Sequence, residues 1–285
     1  MALRGVRYNR LVGYERELET ARAAAVAAGK LALRHQTNGV VAEPKLDLSP
    51  VTIADREGEQ LIAHELEQAF PGDGMLGEEG SHKESAAGRR WIIDPIDGTR
   101  DFLRGLPTWS ILIGLEDGPD VVAGVCHFPA QNVTYYAVKG QGAYRDDAPI
   151  RVSSITEPSQ SLLCVNGFND VLRFPFAPTL LEWMRQFWSV RSFGGCQDAM
   201  LVAGGQAEVW LEPSGKPWDF AALKVIAEEA GAAFFNFDGR KSIYGGNCGI
   251  CVPALEVEFR RFVIGAPARD RADAPPPLIA EIDPA

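Results

Sequence analysis

No apolar run in the 285 residues approaches the ~18 that a membrane-spanning helix needs, so no segment is predicted to cross a bilayer. Histidine is scarce. The four present (His35, His64, His82 and His127) form neither a His-x-Glu nor a His-Glu-x-x-His pattern, which excludes zinc hydrolases of those types. Cysteine is sparse too: five residues, an odd number at scattered positions. That argues for reduced thiols in the cytoplasm rather than a secreted disulfide framework. Cys248 and Cys251 have zinc-like spacing, but with no second pair they read as core residues. Near the N-terminus, Arg4 and Arg7 interrupt the chain before any apolar run could build a signal-peptide core. Positive charge is in deficit, with 28 Lys and Arg against 38 Asp and Glu, a net charge of −10. Such a surface repels phosphate backbones, so nucleic acid is not an expected partner. The chain also lacks a Cys-and-Arg phosphatase loop, a Gly-rich Walker loop and internal repeats.

What remains is an ordinary globular composition, 46% hydrophobic and 23% charged. At about 150 residues per domain, the length suits one large domain or two small ones. Ala266–Ala285 combines dense proline with alternating charge and reads as a disordered tail. Helical periodicity predicts a first helix over Tyr14–His35, with Ala21, Ala25, Ala28 and Ala32 on one face. A second is predicted over Arg56–Phe70, with Ile62, Leu66 and Ala69 inward. β-Branched and aromatic runs predict strands at Arg90–Ile93, Ser110–Leu115, Val121–Phe128 and Val133–Val138. Later strands are expected at Ser161–Val165, Phe187–Phe193, Glu208–Leu211, Ala232–Phe235 and Gly249–Val252. Helices are expected at Gln197–Ala203, Phe220–Ala230 and Ala254–Phe262. Strand runs and helix runs mix without strict alternation, which favours a layered α/β sandwich over a barrel.

The chemistry concentrates in carboxylates. In Trp91-Ile92-Ile93-Asp94-Pro95-Ile96-Asp97-Gly98-Thr99, an apolar strand exits onto two Asp residues that would share one rim. Pro95 stiffens the backbone between them, and Ile96 offers a carbonyl. Hard divalent cations take such oxygens as ligands. An Asp-Gly turn or a helix cap explains the same residues equally well. Gly77-Glu78-Glu79-Gly80 sets two like charges at another strand exit, which repel unless solvent or a cation relieves them. Asp219, in Trp218-Asp219-Phe220, is well placed to be the N-cap of the helix it opens, and Asp55 stands at the start of the second helix.

Four of these stretches together, in this order, resemble the inositol-monophosphatase family of Mg²⁺-dependent, lithium-sensitive phosphatases. They are Asp47…Thr52-Ile53-Ala54-Asp55, Gly77-Glu78-Glu79, Trp91 to Thr99, and Trp218-Asp219-Phe220-Ala221-Ala222. The resemblance covers about residues 14–265. It implies a layered αβαβα sandwich, with a catalytic unit over 1–265 in two sub-regions, about 1–145 and 146–265. It also implies two or three Mg²⁺ ions, Li⁺ inhibition, a small phosphorylated alcohol as substrate, and a homodimer. By motif, Glu78, Asp94 and the Ile96 carbonyl would hold the first ion. Asp94, Asp97 and Asp219 would hold the second, and a third would sit near Glu78. Thr99, oriented by Asp55, would work with Glu78 on the attacking water. The N–H groups of Gly98 and Thr99 would receive the phosphate. Two cations about 4 Å apart suit this chemistry, because they cancel the charge of the dianion and activate water.

Within the family, Arg104-Gly105-Leu106-Pro107-Thr108-Trp109 and Gly215-Lys216-Pro217-Trp218 look like the histidinol-phosphate phosphatase branch. Asp101 would face the substrate and could favour a cationic one. Glu212 matches the family position that binds a substrate hydroxyl or amine. The segment Gly194-Gly195-Cys196-Gln197 departs from that branch's Gly-Asp-Cys-Tyr, so Gly195 brings no carboxylate to the substrate contact, and Asp198 is the candidate replacement. Lys45 is expected either to line a loop over the metals or to be solvated. The alternatives are an inositol or other sugar-phosphate phosphatase, and a catalytically weak member that binds metal and ligand for regulation.

Overall fold

The computed structural model describes residues 13–45 and 50–265; Asp47 and the 266–285 tail lie outside the described residues. Its first helix, α1 (Glu15–Asn38), buries the expected alanine stripe and runs three residues past His35, to Gly39 at φ +83°. A two-stranded ladder, β1 (Glu43–Pro44) with β2 (Pro50–Val51), leads into α2 (Ile53–Ala69). This helix starts three residues before the expected Arg56, because its start is built by a capping box. Thr52 Oγ accepts the Ala54 N–H at 3.1 Å, and Asp55 Oδ2 accepts the Thr52 N–H at 2.8 Å.

Eight strands form the first sheet: β3 (Gly74–Gly77), β4 (His82–Lys83), β5 (Arg89–Asp97), β6 (Ser110–Asp117), β7 (Asp120–Phe128), β8 (Val133–Val138), β9 (Ala143–Arg145) and β10 (Ala148–Ile150). Their order is β10-β9-β8-β7-β6-β5-β3-β4, antiparallel except for the parallel β3–β5 pair. A single helical turn, α3 (Thr99–Leu103), follows β5. The second sheet holds β11 (Leu162–Val165), β12 (Ser189–Arg191), β13 (Val209–Glu212), β14 (Ala233–Phe235) and β15 (Cys248–Cys251), in the order β12-β11-β13-β15-β14. The helices of this half are α4 (Phe168–Val171), α5 (Leu180–Met184), α6 (Gly195–Ala203), α7 (Pro217–Glu229) and α8 (Glu256–Ile264). Helices α3 to α5, of only four or five residues, and the three-residue strands β9 and β10 are too short for periodicity to reveal.

Side-chain alternation along the strands sorts the interior into layers. Ile93, Ile111 and Ile113 of the first sheet pack with Ala25, Ile62 and Leu66 of α1 and α2. Ile92, Leu112 and Phe128, from its other face, pack with α6, α7 and the second sheet's Trp210 and Ile250. Leu163, Leu211 and Phe235 then pack with Trp183 of α5 and Phe259 of α8. The sequence of layers is αβαβα. Cys248 lies in one of these cores and Cys251 in another, so both behave as core residues.

Two glycines decide where α7 sits. Gly114 of β6 pairs with Gly124 of β7, and together they leave a bare patch on the sheet. A Cβ on Gly114 would lie 2.7 Å from the Ala221 Cβ, and one on Gly124 would lie 2.5 Å from Val225 Cγ1. The helix therefore lies directly against the sheet backbone, and its first turn reaches the rim where β5 ends.

Candidate active site

In an unbroken strand, residues three apart point to opposite faces. Asp94 and Asp97 escape that rule because β5 is bulged between them. Asp94 pairs with Leu112 and Asp97 with Ser110, so Pro95 and Ile96 on one strand stand against Ile111 alone on the other. The extra residue turns both carboxylates to one side, and Pro95 sits within the bulge, where a missing N–H breaks no ladder. From α7, Asp219 joins them: carboxylate oxygens of Asp94, Asp97 and Asp219 lie within 4.8 Å of one another. Asp219 is not the N-cap of its helix. The helix begins at Pro217, so Asp219 falls in the first turn, where it accepts the Lys216 N–H at 2.7 Å.

Glu78 arrives by register. The parallel β3–β5 pairing aligns Gly77 with Ile93, and the Glu78 N–H then donates to the Ile93 carbonyl at 3.1 Å. That sets Glu78 beside Asp94. The turn carrying it is anchored from α2: Glu59, only 2% exposed, accepts the N–H groups of Glu79 and Ser81, both at 2.7 Å. Glu59 has a signal in the sequence, a charge three residues before Ile62 on an otherwise apolar stripe, that periodicity alone passes over. Lys45 is neither solvated nor idle. Its ammonium donates to Glu78 at 2.7 Å and to Glu79 at 2.5 Å; burial opposes its charge, but the two carboxylates together outweigh burial and push its pKa up.

Crowding shows in the proton affinities. Burial, then the charges of Glu78, Asp97 and Asp219, hold Asp94 well above the usual carboxylate range. Burial, partly offset by Lys45, raises Glu78 to about 7. Burial and Asp97 raise Asp219 to about 7. Asp97 rises to about 6, again chiefly by burial, with the Cys196 thiol opposing the rise. So many carboxylates on a half-buried rim repel one another and resist ionising together without a compensating cation. Their all-oxygen donor set, with the Ile96 carbonyl beside it, is the set that hard divalent ions prefer.

Next to the rim, Thr99 Oγ lies 3.4 Å from Asp55 Oδ1 and 3.3 Å from the Ile96 carbonyl. The other Asp55 oxygen is committed to Thr52, accepting its N–H at 2.8 Å and its hydroxyl at 2.6 Å. Gly98 takes φ +85°, which turns the chain from the strand into α3. The residues expected at the substrate also come together. A Cβ on Gly194 would lie 3.2 Å from Asp101 Oδ2, and one on Gly195 would lie 3.8 Å from Glu212 Oε2. Asp101 accepts the Thr108 hydroxyl at 2.5 Å, a contact between α3 and the loop after it rather than a lone helix-side charge. Burial, with Asp97 and Asp219 nearby, pushes Glu212 up to about 8. Asp198 is fully buried and accepts the Phe193 N–H at 3.1 and 3.2 Å, which holds the turn into α6. It does not restore the carboxylate that Gly195 lacks.

Known proteins share both the sequence and the shape. The model of the inositol monophosphatase family matches residues 14–264. A histidinol-phosphatase of Chlorobaculum parvum is 40% identical over 231 residues, 81% of this chain and 89% of its own length. One from Mycobacterium tuberculosis is 37% identical, over 72% of this chain and 81% of its own. The structure of a Thermotoga maritima IMPase superposes with a TM-score of 0.79 at 29% identity, covering 87% of this chain and 96% of that one. The acidic rim thus lies within a chain that belongs to the inositol monophosphatase family and is a hydrolase of phosphoric monoesters.

Proposed function

We propose that the chain is a Mg²⁺-dependent phosphomonoesterase of small phosphorylated alcohols, with histidinol phosphate as its substrate. The observation that carries the Mg²⁺ reading is the convergence of Asp94, Asp97 and Asp219 oxygens within 4.8 Å. Glu78, Asp94, the Ile96 carbonyl, Asp97 and Asp219 would hold the ions. When bound, divalent cations neutralise the phosphate dianion and make water a usable nucleophile near neutral pH. Thr99 would then orient the attacking water by accepting a hydrogen bond from it, while its own hydroxyl keeps its proton and points it at Asp55 Oδ1. Glu78 accepts the proton that the water loses, the P–O bond to the alcohol breaks as the new one forms, the leaving alkoxide takes a proton from solvent, and the Gly98 and Thr99 N–H groups hold the phosphate. No protein nucleophile is needed, since phosphoryl transfer asks mainly for positioning and charge stabilisation.

The two relatives named histidinol-phosphatase and the Arg104 to Trp109 segment support the substrate. The bare Gly195 favours the second reading, an inositol or other polyol phosphate. A complete set of carboxylates with Thr99 speaks against a catalytically weak regulatory member. The test is phosphate release from histidinol phosphate and from myo-inositol 1-phosphate, with Mg²⁺ and then with EDTA. Preference for histidinol phosphate, lost in EDTA and inhibited by Li⁺, is the expected result; preference for the inositol ester overturns the substrate assignment. The same reading includes a cytoplasmic homodimer, the dimer being checked by light scattering.

Glu59 gives a further expectation. Because it anchors the Glu78 turn, Glu59→Gln should lower kcat/KM about 10- to 100-fold and raise the Mg²⁺ needed for half-maximal rate. A Mg²⁺ titration of phosphate release checks both; an unchanged Mg²⁺ requirement would mean that the turn holds without it.

A further inference from the structure

We propose that the Asn166 side-chain amide is a specificity-determining donor, acting with Glu212 on a substrate group that carries both a hydrogen-bond acceptor and a donor. The inference rests on the phosphomonoesterase reading above. Asn166 directly follows β11 and is 8% exposed. Ser192 Oγ donates to its Oδ1 at 2.8 Å, which fixes the amide so that Nδ2 faces away from Ser192. There Nδ2 is buried, near enough to the Glu212 and Asp198 carboxylates to favour their ionised forms, yet it makes no hydrogen bond of adequate geometry to either among the described residues. Asp198 is already engaged by the Phe193 N–H. A buried N–H without a partner is uncommon in a folded chain and points to a ligand.

Gly195 supplies the space for that ligand. A Cβ there would lie 3.8 Å from Glu212 Oε2 and 4.0 Å from Asn166 Nδ2. Both groups therefore border the volume that a larger residue at 195 would fill. Their chemistry is complementary: Glu212 accepts in its ionised form, which a donor bound against it favours, and the amide N–H donates. An ammonium group has donors only, so it would satisfy Glu212 and leave Nδ2 unpaired. A hydroxyl or a neutral imidazole offers an acceptor and a donor together, and satisfies both residues. Polyol phosphates carry the first group and histidinol phosphate the second.

The experiment compares wild type, Asn166→Ala and Asn166→Ser with Mg²⁺ on histidinol phosphate, myo-inositol 1-phosphate and phenyl phosphate, whose leaving group has neither polar function. For the preferred polar ester, Asn166→Ala should lower kcat/KM about 10- to 100-fold, mainly through KM, because a site built to pair a polar group loses its discrimination. Phenyl phosphate should change by no more than roughly twofold. Asn166→Ser keeps a shorter donor and should recover part of the loss; it carries the comparison if Asn166→Ala does not fold. The ester that suffers identifies hydroxyl or imidazole as the bound group. Equal losses on all three esters, or none on any, overturn the proposal, as does a wild type that prefers neither polar ester to phenyl phosphate. A wild type inert towards all three overturns the phosphatase reading itself, and this proposal with it.

Discussion

Asp94→Asn is expected to lower turnover by at least about a thousandfold while leaving the fold intact. Losing a residue that merely supports a metal ligand costs about 10- to 100-fold, and Asp94 is proposed as a ligand itself. It is 1% exposed and lies at the centre of the rim, beside Glu78 and within reach of Asp97 and Asp219. An amide offers one acceptor and no charge where the site needs an anion. The fold should tolerate the change, because Asn has the same shape as Asp and its Oδ1 can still accept the Ile96 N–H that Asp94 accepts at 3.0 Å. Relieving the repulsion should even raise the Tm of the metal-free protein slightly. Phosphate release and a thermal melt, each with and without Mg²⁺, check both halves. Retained turnover would sink the two-metal reading, whereas a collapsed melt would show that Asp94 is structural.

Removing the metal should destabilise the protein, and increasingly so as pH rises. Glu78, Asp97 and Asp219 titrate near 7, 6 and 7 in the folded metal-free chain, against ordinary values of 4.5 and 3.8. Between about pH 4 and pH 7 the folded chain therefore binds more protons than the unfolded one. By linkage, the stability of the metal-free protein falls as pH rises through that window, and the penalty is complete above the folded values. Divalent cations compete with those protons, so their contribution grows over the same range. At a concentration one hundred times its dissociation constant, a ligand adds about 2.7 kcal/mol, or a Tm rise of roughly 4–5 °C for a chain of this size. The Mg²⁺-induced shift should be near that value at pH 8 and clearly smaller at pH 5.5. Scanning calorimetry in Mg²⁺ and in EDTA at the two pH values decides it; an equal or larger shift at pH 5.5 would falsify the assignment of these carboxylates to the cation.

Much of the protein was legible in its sequence because the signals are local. Apolar periodicity placed the long helices and strands to within a few residues, and β8 agrees at both ends, Val133–Val138. Glu78, Asp94, Asp97 and Asp219 were each marked by a carboxylate at the edge of an apolar run, and the order of their motifs pointed to the family. Residue type and near-neighbour pattern therefore determined the layered architecture and the kind of chemistry. Tertiary structure decided the geometry. A bulge in β5 turned Asp97 to the side of Asp94, and parallel pairing with β3 brought Glu78 abreast of it. The Gly114–Gly124 patch let α7 lie close enough to deliver Asp219 from more than a hundred residues away. Asp219 caps its helix from the third position, accepting the Lys216 N–H, rather than standing as the N-cap, since backbone geometry and not residue type fixes where the helix begins. Asn166 and Gly195 gained their significance in the same way, from a shared gap that exists only after β11, β13 and α6 have packed. Those contacts join residues far apart in the chain, and so they are set by how strands pair and helices seat, not by any local spacing.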